Sequence, residues 1–148
     1  MTAKTDFSEE EWKLISEGPV TAGMIVLTAQ GGGSFRETFA IAKAYNEARQ
    51  QHGESELLDE LVSAKPEYDR HRYSTPELLR EQGLQRIAEA SRLLEQRATA
   101  SELQGYRGFT LDLADRVAKA HREHGQQVST AEQEALDAVR SSLGPASP

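Results

Sequence analysis

There is no cysteine among the 148 residues, which excludes thiolate metal sites, CxxC redox chemistry, cysteine nucleophiles and the disulfide framework of small secreted domains. No apolar run approaches the roughly 20 residues needed to cross a bilayer. The N-terminus, MTAKTDFSEEEW, has no signal-type apolar stretch, so a cytoplasmic location without membrane insertion is expected. There is no Gly-Lys-Ser/Thr phosphate loop, no serine in a nucleophile-elbow context and no Glu-x-x-His pair. Nucleotide hydrolysis, serine-hydrolase chemistry and a carboxylate-bridged bundle metal centre therefore lack their usual residues. No stretch alternates with period two over a strand's length, so the expected class is all-α.

What is present is acidic: 24 Asp and Glu against 17 Lys and Arg, a net charge of −7. That field repels a phosphate backbone unless basic residues are segregated on one face. The one local concentration, Arg70, Arg72, Arg80 and Arg86, is interrupted by Glu77 and Glu81. Nucleic acid is not an expected partner.

The chain should form six or seven helices packed as one domain, residues 1–148, around a buried central helix at about Val20–Gln30, with 1–6 and 145–148 fraying. VTAGMIVLTA is the only run apolar nearly all round a helix. Gly18-Pro19 is expected to end one helix and begin this one, proline suiting a first helical position. Gly31-Gly32-Gly33 should end it.

Capping boxes mark other starts: Ser8/Glu11, with Phe7 stapled to Trp12, then Ser34/Glu37, Thr99/Glu102 and Ser129/Glu132. The expected buried faces are Phe35, Phe39, Ala42, Tyr45 and Ala48 or Arg49 in the helix ending near Gln51, and Leu57, Leu58, Leu61 and Val62 in the next. Thr75-Pro76 opens a helix whose stripe is Leu79, Gly83, Ile87, Ala90 and Leu94, with Gly83 implying close approach of another helix or a kink. The following helix should bury Leu103, Tyr106, Phe109, Leu113, Val117 and Ala120 or His121, with Gly105 and Gly108 distorting or narrowing its start. The last should bury Ala135, Leu136, Val139 and Leu143.

One construction occurs twice. A helix ends in Gln30-Gly31 and another in His124-Gly125; each is followed by Ser-x-x-Glu, at Ser34/Glu37 and Ser129/Glu132, and by Ala40-Ile41 or Ala135-Leu136. This unit resembles the helix–Asp-Gly–x–hydrophobic–Ser-x-x-Glu–helix element of bacterial tellurite-resistance B-type (TerB-like) helical proteins. The resemblance covers some thirty residues in two pieces. It implies a pseudo-symmetric cytoplasmic helical bundle associated with stress or metal-related processes, often with scaffolding. The family's acidic residue before the glycine is replaced by Gln30 and His124, so its metal site does not carry over.

No residue has a catalytic context, and no cofactor or metal is expected. His121 and His124 lack further ligands at bundle spacing. Asp112/Asp115, Asp59/Glu60 and Glu67/Asp69 read as solvated acids. Lys65 to Ser74, KPEYDRHRYS, lacks apolar periodicity and reads as an exposed loop. Its composition suits a contact surface, with Tyr68, Arg70, Arg72 and Tyr73 the candidate residues; the plainer alternative is a connector whose tyrosines cover helix ends. The expected function is thus a non-enzymatic protein-interaction or scaffold module, self-associating or serving as an adaptor. The alternative is a small-molecule or metal-binding protein, or an enzyme, with an interhelical pocket lined by Gly31 to Ser34, His121 and His124.

Overall fold

The computed structural model describes residues 4–29, 35–51, 55–63, 73, 75–122 and 130–144. After a short 3-10 turn, Lys4–Asp6, the described residues form six α-helices: α1 Glu9–Thr28, α2 Phe35–Gln50, α3 Glu56–Ser63, α4 Pro76–Arg97, α5 Ala100–Arg122 and α6 Thr130–Leu143. None of them is long and apolar enough to cross a membrane. The all-α bundle expected from the sequence is the observed architecture.

Local chemistry sets the helix starts. Ser8 Oγ accepts from the Glu11 N–H at 3.1 Å, and the Glu11 carboxylate accepts from the Ser8 N–H at 2.9 Å. The Phe7 and Trp12 rings lie 6.0 Å apart and close the first turn. Thr99 and Glu102 form the same reciprocal pair at α5, at 3.1 and 3.0 Å. Thr75 Oγ1 accepts from Leu78 N–H, with Pro76 at the first helical position. Of the other two expected boxes, Ser34 and Ser129 lie outside the described residues; Glu132 is fully buried in the first turn of α6.

The Ser8 N–H, aided by Arg97 and against a smaller desolvation effect, holds the Glu11 carboxyl below its ordinary value. Its contribution is therefore present above the ordinary carboxylate range and is lost as pH falls through the lowered value. Glu11→Gln should flatten this part of the acid limb of stability, as followed by urea midpoints across pH; an unchanged limb would contradict the assignment.

α1 is the central element. It packs most extensively on α4 and α5, and buries Ile15, Val20, Ala22, Ile25, Val26 and Leu27. Contrary to expectation, Gly18-Pro19 does not divide it: the helix runs unbroken from Glu9 to Thr28 with Pro19 inside. Proline cannot donate to the carbonyl four residues back, which is that of Ile15. The Tyr106 hydroxyl of α5 donates to this carbonyl instead, at 2.8 Å. Gly18 makes room for it, since a Cβ there would overlap Tyr106 Oη. Burial raises the Tyr106 phenol well above its ordinary pKa, with Tyr45 adding to the effect, so it stays a donor.

α4 buries the expected stripe together with Ser91. Gly83 marks a close crossing: a Cβ would stand 2.9 Å from Thr21 Cγ2 and 3.1 Å from Ile25 Cδ1 of α1. α6 buries its four expected residues. In α3, Leu57, Leu61 and Val62 are buried and Leu58 half-buried; the Arg49 guanidinium donates to the Val62 carbonyl near the end of that helix.

The face of α2 is a correction. Ile41, Ala44 and Tyr45 are buried and Ala48 packs partly against the core, while Ala42 is exposed and Phe39 is 60% exposed. α2 lies mainly against α5, where the Tyr45 ring meets Phe109 edge-on at 5.3 Å; that contact fixes the rotation and turns Phe39 outward. Of the repeated unit's two core positions, Ile41 and Leu136 are both buried, whereas Ala135 is buried and its counterpart Ala40 only partly so. The unit's surroundings differ, since α6 lies mainly against α4.

Candidate interaction face

The outer side of α5 is built by helical periodicity. Ser101, Gly108 and Lys119 are exposed along one ridge, with Asp115 partly so, while Leu103, Tyr106, Thr110, Leu113 and Val117 turn into the core. Gly108 sits mid-helix, and a Cβ added there would meet nothing within 4 Å. Among the described residues no neighbour demands this glycine, unlike Gly18 or Gly83. Gly108→Ala should stabilise the isolated fold by about 0.5–1 kcal/mol in urea denaturation, from helix propensity alone; a loss of stability would show that the position is occupied.

Clefts open on both sides of this ridge. One, of about 300 Å³, lies between α5, α2 and α3, and Ala44, Ala48, Leu58 and Phe109 supply its apolar surface. Its charged lining is Glu47, Asp59, Asp112 and Arg116. Arg116 bridges Asp112, at 2.8 Å, and Glu47. Burial opposes the Arg116 charge, but its bonds to these two carboxylates prevail and raise its pKa.

The other cleft, of about 530 Å³, lies between α5 and α6 and is lined by Gln104, Arg107, Leu111, Arg140 and the turn at Gly144. Arg107 Nε donates to the Leu143 carbonyl at 2.7 Å, and buried Ser91 Oγ donates to the same oxygen at 2.6 Å. Gly144, at φ +92°, then turns the chain out of α6. Arg140 is 64% exposed and lies 3.3 Å from Asp137.

Among the residues expected to form a contact surface, Tyr68, Arg70 and Arg72 lie outside the described residues. Tyr73 is 8% exposed and belongs to the core cluster, which removes its ring from that surface. Gly31 to Ser34 and His124 also lie outside the described residues, and His121 occupies the last turn of α5. Among the described residues no group of three or more His, Asp or Glu could hold a metal ion. Asp112 and Asp115, expected as solvated acids, pair with Arg116 and Lys119 one turn on. Glu47, Arg107 and Arg140 line these clefts without any local signal in the sequence; of the two glycines expected to distort or narrow the start of α5, Gly105 lies close to Leu58, at 3.2 Å from an added Cβ, whereas at Gly108 the helix is unbroken and open.

No protein-family model, no curated protein and no solved structure matches this chain.

Proposed function

We propose that the protein is a non-enzymatic helical interaction module that acts by binding polypeptide. The observation that carries this reading is the α5 ridge: an open, side-chain-free saddle at Gly108 with a cleft of opposite charge on either flank. Such a surface offers shape and electrostatic register to another protein. A TerB-like scaffold role in the cytoplasm, linked to stress, is the cellular setting we propose.

Native mass spectrometry of the gently purified protein tests this. A discrete assembly, of copies or with another polypeptide, is expected. A chain seen solely as a monomer, bare or carrying a metal or metabolite, would overturn the reading.

A further inference from the structure

Resting on that reading, we infer that the partner is a second copy of this chain, bound across α5, with the acidic cleft of each protomer facing the basic cleft of the other. The acidic flank carries three carboxylates against one guanidinium, Arg116, which bonds two of them, and keeps an acidic excess; the basic flank carries two guanidiniums and no carboxylate among its lining residues, with Asp137 beside Arg140 from outside that lining, and keeps a basic excess. Gly108 lines both clefts and divides them. One surface thus holds both halves of a complementary pair.

Symmetry converts this into a geometry. A two-fold contact places a surface against itself, so the direction of the axis decides which flank meets which. An axis across α5 would set acid on acid and base on base. An axis along α5 exchanges the flanks, so acid meets base twice and the two α5 helices run in the same direction.

Gly108 is the point of closest approach. With no side chain there, two helix backbones can come together, and an inclined crossing lets the helices diverge on either side. Asp115 and Lys119, farther along the ridge, are paired with each other at 2.9 Å and so present little net charge to their counterparts. At −7 per chain, two copies repel at a distance. The contact must therefore be locally complementary, as these flanks are.

Charge reversal tests the pairing. Asp112 is 54% and Arg140 64% exposed at the side chain, so Asp112→Lys and Arg140→Glu should keep the wild-type helical circular dichroism. In sedimentation equilibrium each alone should weaken self-association by about tenfold or more, since like charges then face each other twice. An equimolar mixture of the two should recover the assembly: each introduced lysine meets an introduced glutamate, while the untouched Arg140 and Asp112 still face each other. Gly108→Arg should abolish association in a folded chain.

An assembly insensitive to both reversals, or broken by both and not recovered on mixing, overturns pairing through α5 while leaving the interaction reading intact. A wild-type chain that stays monomeric at high concentration also overturns it. In that case a complex with a different polypeptide in the native mass spectrum would preserve the broader reading, and its absence would end both.

Discussion

Gly18→Ala is expected to cost about 2–5 kcal/mol of stability, a large loss for the addition of one methyl group. The new carbon would overlap the Tyr106 hydroxyl, which is fully buried. α1 and α5 are pushed apart, with overpacking strain of about 1–3 kcal/mol, and the displaced ring leaves the Ile15 carbonyl without its donor, at about 1–3 kcal/mol more, the two costs overlapping in part. Tyr106→Phe alone should cost about 1–3 kcal/mol through the second of these. The two changes together should cost less than their sum, because without the hydroxyl the methyl group meets ring carbon 3.2 Å away. Pro19→Ala supplies the test of cause: it restores a backbone N–H to the Ile15 carbonyl, so Tyr106→Phe should be milder in that background. Urea unfolding of the set decides it, and strictly additive costs would refute the lock.

The same contact explains where local reading of the residues succeeds and where it stops. Ser8/Glu11, Thr99/Glu102 and Thr75-Pro76 were legible because both partners of each cap lie within three residues. The stripes of α4 and α6 were legible because each helix has one dominant apolar period. Gly18-Pro19 read as a break because the donor that serves the Ile15 carbonyl in place of residue 19 lies 91 residues from Ile15. α2 carries two competing stripes, one through Phe39 and Ala42 and one through Ile41, Ala44, Tyr45 and Ala48. Only docking on α5 selects between them. Tyr73 looked like a contact residue because its neighbours are polar, yet it joins the core. The clefts were not legible at all, since each is assembled from helices distant in sequence.

Three consecutive residues of α5 show how much depends on that helix. Successive side chains point about 100° apart round a helix. Tyr106 turns to the Ile15 carbonyl of α1, Arg107 to the Leu143 carbonyl of α6, and Gly108 to the outside. The first two bonds fix α5 to neighbours on different sides, and so hold the Gly108 ridge and its two flanks at a set angle. A contact surface built on a helix anchored in this way is preorganised, which lowers the ordering cost of binding.

The anchor to α6 should fail in a characteristic way. Ser91→Ala and Arg107→Met each remove one donor from the Leu143 carbonyl but leave the other, so each should cost only about 1–2 kcal/mol. Removing both orphans the carbonyl at the C-terminal end of α6, where partial negative charge accumulates, and should exceed the sum of the singles by about 1–3 kcal/mol. Total loss then reaches about 3–7 kcal/mol, at least comparable to Gly18→Ala. Hydrogen exchange at the last turn of α6 should rise before exchange in α1 does, because the loss begins locally. Association separates the two singles: Arg107→Met removes half the positive charge of the basic flank and should weaken pairing, whereas Ser91 is buried and Ser91→Ala should leave it unchanged. Additive stabilities in the double variant would show that the two donors do not share one acceptor's burden. Equal effects of the singles on association would show that the charge of Arg107 plays no part in the contact.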